Sequence, residues 1–322
     1  MNPLAQLIGQ DRAVELLNAA IAHDRIAPAY LFAGPPGVGR SLAARCFIQL
    51  LLGAGLSAED WLSMEKRVMA GNYADVFWVQ PTYLHQGKRL TAMEAAEAGL
   101  KRKAPPEIRI DQIREIAQFL SRPPLEGKRA VVAIEDAQTM AEAAANALLK
   151  TLEEPGQATI ILMAPETDSL LPTLVSRCQR IPFYRLSQED MRRVLLERGY
   201  GEIFEHPELL AIAQGSPGGA IASWTQLKAI PETLLQKLKK PPDSPLNALL
   251  LAKEVEGALD IPAQLWLIDY LQYFYWQHWQ QKSLIEPLEK GRPLLLSYVQ
   301  PRLVWECTLL RLHQALKLPS LP

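Results

Sequence analysis

A chain of 322 residues that is 48% hydrophobic and 21% charged has the composition of an ordinary globular protein, with room for two or three domains. Its net charge of −1 gives the whole chain no electrostatic footprint for nucleic acid, so any such contact rests on local patches or partner chains. Cys46, Cys178 and Cys307 are too widely spaced for a metal-binding pair or a disulfide framework, and read as buried free thiols in a reducing cytosol.

The first residues lack the charged and apolar regions of a signal peptide, and no charge-free apolar run reaches the roughly 18 residues that suggest a membrane span. Residues 11–23 place Ala13, Leu16, Leu17, Ala20 and Ile21 on one helical face, with a cap expected near Asp11. The apolar strand 29–33 then runs into Gly34-Pro35-Pro36-Gly37-Val38-Gly39-Arg40-Ser41, and a helical pattern follows to about Leu52. Strand, glycine-rich loop and helix form the context of a phosphate-cradling P-loop. Glycines 34, 37 and 39 let the backbone turn so that its N–H groups face one anion, and the helix adds its positive end. The lysine usual in such a loop is Arg40 here, and a planar guanidinium is not a compact ammonium.

Residues 53–106 read as an irregular insertion. It contains a helical patch around Trp61, Leu62 and Met64, a strand at 76–79, and a solvated, mobile stretch over 85–106 that carries Lys88, Arg89, Lys101, Arg102 and Lys103. Order returns with a helix after Asp111, its expected N-cap, holding Ile113, Ile116 and Leu120 inward. The apolar strand 130–134 ends in Glu135-Asp136, the Walker B position of a P-loop protein, where one acid holds Mg²⁺ and its neighbour orients water. A helix from about Ala141 to Glu154 ends at Pro155-Gly156, and further strands are expected at 159–164 and 179–184. Apolar strands alternating with helices imply a mostly parallel sheet covered on both faces.

Beyond Leu186 only helices are expected, roughly 187–199, 206–214, 217–228, 246–258, 261–283 and 292–317, with a linker at 239–245. The 261–283 helix is apolar over most of its circumference. Trp266, Tyr270, Tyr273 and Phe274 share one side, and Tyr275, Trp276 and Trp279 extend round to others. That pattern implies burial on several sides, in the core or against other subunits. No lysine or arginine lies between 262 and 281, so base stacking on these rings is the weaker reading.

With the P-loop, Glu135-Asp136 and Ser176-Arg177-Cys178 in this order, the sequence resembles the AAA+ clamp-loader family. The run Ala143-Ala144-Ala145-Asn146-Ala147-Leu148-Leu149-Lys150-Thr151-Leu152-Glu153-Glu154-Pro155 and Leu170-Leu171-Pro172-Thr173 strengthen the match. Ile110-Asp111-Gln112-Ile113-Arg114 and Gly215-Ser216-Pro217-Gly218-Gly219-Ala220 favour its delta-prime branch, of the bacterial DNA polymerase III complex. The resemblance implies an α/β plus all-α chain: an AAA+ P-loop domain with a parallel sheet over 1–185, a small helical lid over 186–240, and a C-terminal helical collar over 241–322.

It further implies a cytoplasmic hetero-oligomer with gamma/tau and delta subunits that places a sliding clamp on primer-template DNA. The chain would then belong to a nucleotidyltransferase, a DNA-directed DNA polymerase, by complex membership. Arg177 would reach a neighbouring subunit's ATP as an arginine finger, and Ser176, Cys178, Asn146, Lys150, Glu153, Trp266, Phe274 and Trp276 would lie at interfaces. Pairing of Arg177 with a carboxylate of its own chain is the plain alternative. Four departures from the family's ATPases bear on the chain's own site: Arg40, the order Glu135-Asp136, Ala164-Pro165 at the sensor strand, and Gly218 at the lid arginine position. They imply weak or absent hydrolysis at Gly34, Gly37, Val38, Gly39, Arg40 and Ser41, with ATP binding possible and Mg²⁺ only alongside ATP. The alternative is a gamma/tau-like ATPase acting at its own loop. Residues 53–80 contain no cysteine, so the zinc module of some relatives is not expected.

Overall fold

The computed structural model describes residues 2–100, 105–154, 156–297 and 299–317. The chain divides into two compact units. The first comprises Met1–Gly99, Pro105–Val194 and Gly215–Gly218, and the second principally Leu195–Gln214 and Gly219–Pro322.

The first unit is built in the order α1 (Asp11–Ala22), β1 (Ala29–Ala33), α2 (Arg40–Leu52), α3 (Ala58–Ala70), β2 (Val76–Val79), β3 (Tyr83–His85), β4 (Lys88–Leu90) and α4 (Ala92–Glu97). It continues through α5 (Ile110–Leu120), β5 (Ala130–Ile134), α6 (Glu142–Glu153), β6 (Ala158–Ala164), α7 (Pro172–Val175), β7 (Gln179–Pro182) and α8 (Gln188–Glu197), whose end enters the second unit. Five parallel strands form one sheet in the order β2-β5-β6-β1-β7. Every residue of β5 and β6 is buried, as continuous Val/Ile/Leu strands covered on both faces must be. The register aligns Ala33 with Ala164 and Ile134 with Leu162, so β1, β6 and β5 deliver their carboxyl ends to one edge of the sheet. The glycine-rich loop after β1 and the two acids after β5 stand at that edge.

The 53–106 stretch is more ordered than the sequence indicates. Gly53 does end α2, but α3 then buries Met64 and Val68 and is capped by the Ser57 hydroxyl, which accepts from the Asp60 N–H. A β-hairpin of β3 and β4 turns at Gln86-Gly87, where both residues take positive φ, and a Thr91–Glu94 capping box starts α4. A two-residue turn and a cap give short polar segments a local structure without any apolar period. The basic residues 101–103 lie outside the described residues, as does Pro155. The N-cap position of α1 is Gln10, next to Asp11 as expected, whereas that of α5 moves from Asp111 to Arg109 and leaves Asp111 in the first turn.

The second unit is helical: α9 (Pro207–Ala213), α10 (Pro217–Ala229, beginning in the first unit), α11 (Glu232–Leu238), α12 (Pro245–Ala258), α13 (Ile261–Trp279), α14 (Lys282–Leu296) and α15 (Pro301–Lys317). Helix α14 was not expected, because Pro287 and Pro293 stand inside it. Leu284, Pro287, Leu288, Gly291 and Leu295 nevertheless form its buried stripe, so packing outweighs the propensity cost. The helix expected over 292–317 accordingly begins later, at Pro301.

Much of the apolar circumference of α13 is covered by the chain's own helices. Tyr270 and Tyr275 are fully buried, and the Tyr275 hydroxyl donates to the Leu238 carbonyl at 2.6 Å. Burial pushes the Tyr270 phenol up to about 12. Trp266, Tyr270 and Phe274 stack in sequence along the helix, and Trp276, 51% exposed, stands outside that core. No helix among the described residues is long and apolar enough to cross a membrane.

Candidate functional site

The glycine-rich loop is held from its carbonyl side. The Ser216 hydroxyl donates to the Pro36 carbonyl at 2.8 Å, the Gly218 N–H to Gly37 at 2.9 Å, and the Gln10 side-chain amide to Val38 at 3.2 Å. Gln10, only 2% exposed, also exchanges hydrogen bonds with both backbone groups of Tyr184 (2.7 and 3.0 Å) and so ties the loop to the end of β7. The Gly34 N–H donates to the Ala164 carbonyl at 3.1 Å, fixing the loop's start against β6. Gly37 and Gly39 take φ of 76° and 108°, conformations open to glycine. Among the described residues, no acceptor meets the N–H groups of Gly37, Val38 or Gly39. The three carbonyls are pinned and the three N–H groups remain free.

Gly218 has no room for a side chain. A Cβ there would stand 2.7 Å from the Gly37 Cα, so an arginine at this position and the observed loop geometry exclude each other. The turn that opens α10 meets the loop by backbone contact instead.

Arg40 is the first residue of α2 and only 7% exposed. One terminal nitrogen lies 3.6 Å from Asp136 Oδ1, while the other, Nη1, is buried without a partner. Burial lowers the guanidinium's pKa, and the charges of Asp136 and Glu135 oppose that shift. Asp136 takes a left-handed φ of 45°, and its carbonyl accepts from the Thr139 N–H and hydroxyl, both at 2.8 Å. Glu135 accepts from the Gln80 side-chain amide at 2.6 Å, and its N–H donates to Val79 at 2.9 Å. Each acid therefore already has a partner of its own chain. The free N–H groups and the orphaned Arg40 nitrogen fit a phosphoryl group. The acids do not fit Mg²⁺ in the same way, because a guanidinium already faces Asp136.

Gln10 and Gln80 carry no motif, and a lone glutamine gives no signal in the sequence. Only the fold shows that they set the loop and the Glu135 carboxylate.

Arg177 stands elsewhere on this unit, after α7. Its guanidinium donates to the Thr173 carbonyl at 2.9 Å and to Glu153 at 2.7 Å, with side-chain exposures of 37% for Arg177 and 53% for Glu153. In the isolated chain it thus pairs with a carboxylate at the end of α6, the plain alternative for this residue. Asn146 and Lys150 are exposed on the same helix as Glu153, and Ser176 is exposed beside Arg177. Cys178 is more enclosed, and burial pushes its thiol up to about 11.

Comparison with known proteins places this architecture. A family described as "DNA polymerase III, delta subunit" matches residues 9–187, and one described as "Cyanobacterial DNA polymerase III delta prime, C-terminal domain" matches residues 189–312. The DNA polymerase III subunit delta' of Bacillus subtilis is 32% identical over 192 residues, 59% of this chain and 52% of that protein. The Pseudomonas aeruginosa subunit delta' is 36% identical over 201 residues, 59% of this chain and 54% of that protein. The chain spans about half the length of these curated relatives. The crystal structure of a DNA polymerase III gamma subunit-related protein from Thermotoga maritima shares the fold, with a TM-score of 0.57 at 18% identity over 94% of this chain and 99% of that one. By family match along its length, the chain belongs to the delta-prime family of DNA polymerase III subunits.

Proposed function

We propose that the chain works as the rigid, non-hydrolysing member of a clamp-loader complex, donating Arg177 to the ATP site of a neighbouring gamma/tau-type subunit. The observation that carries this reading is the contrast between two arginines. Arg40 is buried and committed to its own Walker B acid, whereas Arg177 is exposed and held by an exposed carboxylate. An exposed pair of this kind is worth about 0–1 kcal/mol, so Glu153 can release the guanidinium at little cost. A guanidinium supplied in trans stabilises charge developing on a transferred phosphoryl group. Asn146, Lys150, Glu153, Ser176 and Cys178 would then flank that interface. Trp266, Phe274 and Trp276 would contribute to a collar formed by residues 241–322, with residues 186–240 as a lid.

In this proposal the sliding clamp and primer-template DNA are contacted mainly through the complex, in a cytoplasmic setting. Reconstitution tests it. Mixed with gamma/tau-type and delta-type subunits, the chain should enter one assembly that loads a clamp on primed DNA. Failure to co-purify with those subunits would overturn the proposal.

A further inference from the structure

We propose that the outer edge of β2 receives an extended, uncharged peptide segment of a partner protein, which adds to the sheet as a further strand beside Trp78 and Gln80. The site is independent of the arginine-finger reading: β2 and β7 are opposite edges of the sheet, and Arg177 precedes β7.

Three observations converge. Among the described residues β2 pairs with β5 alone, at the end of the strand order. Successive residues of a paired strand turn their backbone groups to opposite sides. The Asp75 and Val79 carbonyls accept from the Val131 and Glu135 N–H groups, so the backbone groups of Trp78 and Gln80 face outward. Among the described residues nothing meets the Trp78 N–H, the Trp78 carbonyl or the Gln80 N–H. The edge thus presents donor, acceptor and donor over about 7 Å, two steps along a strand. Secondly, this edge is not blunted. Val76-Phe77-Trp78-Val79 carries no charge, whereas edge strands are commonly guarded by one. Thirdly, there is room: a cavity of about 250 Å³ lies beside Trp78 and Gln80, walled by the β4 side of the hairpin and by α5.

The walls select the occupant. Gln112 closes one end of the row by donating its side-chain amide to the Gln80 carbonyl at 2.9 Å. Thr82, Thr91 and Gln112 line the cavity without charge, and its two charged residues, Arg89 and Glu115, are bonded to each other at 2.6 Å. An ionised side chain entering here would have to break that pair. A phosphodiester backbone carries acceptors only and cannot meet the Trp78 carbonyl, so a nucleic-acid strand does not match the row. A peptide offers carbonyl, N–H and carbonyl in that order, and main-chain pairing of this kind supplies affinity while side-chain pockets supply specificity. Beyond Pro81 the chain itself pairs in this way, with Thr82 and Glu107 exchanging backbone bonds at 3.0 and 3.1 Å.

The test selects a displayed library of linear heptapeptides on the full chain, with counter-selection against Trp78→Pro. That variant removes one outward donor at an edge position, where proline is tolerated. The tightest selected peptide, resynthesised, should bind saturably. Trp78→Pro should weaken it about 10-fold or more, because the peptide carbonyl is left unmet, with the circular dichroism spectrum unchanged. N-methylation along the peptide should abolish binding at alternate positions only, the signature of strand pairing. Should Trp78→Pro not fold, hydrogen exchange on the native chain serves in its place: the peptide should protect the amides of Trp78 and Gln80. No selected peptide, binding that tolerates N-methylation at every position, unchanged affinity in a folded Trp78→Pro, or absence of that protection would each overturn the proposal.

Discussion

Arg40 and Asp136 face one another at 3.6 Å across the carboxyl edge of the sheet, one at the start of α2 and the other just past β5. The pair joins the glycine-rich loop to the Walker B position by a bond internal to the chain. A site arranged in this way does not wait for a metal to neutralise its acid. The pair also makes a stability prediction. Asp136→Asn leaves the buried guanidinium without its counter-charge. Because Asp136 itself is 48% exposed, solvent recovers part of that loss. Urea unfolding should show a destabilisation of about 1–2 kcal/mol, below that of a fully buried pair.

Gln10 should behave as a structural keystone despite its ordinary side chain. It bridges Val38 and both backbone groups of Tyr184. Gln10→Ala strands the buried Val38 carbonyl at a cost of about 1–3 kcal/mol, while solvent recovers part of the loss at the part-buried Tyr184 groups. A lowered denaturation midpoint at unchanged m-value is the expected result.

Gly218→Arg puts a side chain where the backbone meets the loop and should not confer ATP turnover. Arginine is the better helix former by up to about 1 kcal/mol. Its Cβ would nonetheless stand 2.7 Å from Gly37 Cα, and backbone shifts forced by such overpacking cost about 1–3 kcal/mol. The variant should unfold at lower denaturant and show no ATP turnover.

Cys178 lies next to Arg177, yet its thiol should be slow to react. With its pKa pushed up to about 11 by burial, almost no thiolate forms at neutral pH. Alkylation followed by mass spectrometry should label the exposed Cys307 first. The sign of the pH dependence follows. In the unfolded chain the thiol ionises at its ordinary value of 9.0, so this group's contribution to stability holds below pH 9 and is lost as pH rises towards 11.

Much of the fold was legible because the central strands of the sheet are covered on both faces. Strands such as 130–134 and 158–164 must be continuously apolar, and their ends carry the loop and the acids. At those ends Gly34 meets Ala164 and Arg40 faces Asp136. The hairpin at 83–90 and helix α14 were not legible. The first rests on a two-residue turn between polar strands, and the second on tertiary burial that overrides two prolines. The Gln10 and Gln80 contacts connect residues far apart in sequence and leave no periodicity. For Arg177 the sequence left two partners open, and the isolated chain forms the internal one with Glu153.

The most direct measurement compares Arg177→Ala and Arg40→Ala in the reconstituted complex, following ATPase with primed DNA and clamp. An arginine finger is worth about 10³–10⁵ in turnover at the site that it serves. Arg177→Ala should therefore silence the neighbouring site and lower the complex's rate by at least that site's share, with assembly intact. Arg40→Ala should leave the rate within about twofold, the change expected of a residue that makes no transition-state contact. Unchanged ATPase in an assembled Arg177→Ala complex, or loss of activity on Arg40→Ala alone, would contradict the account.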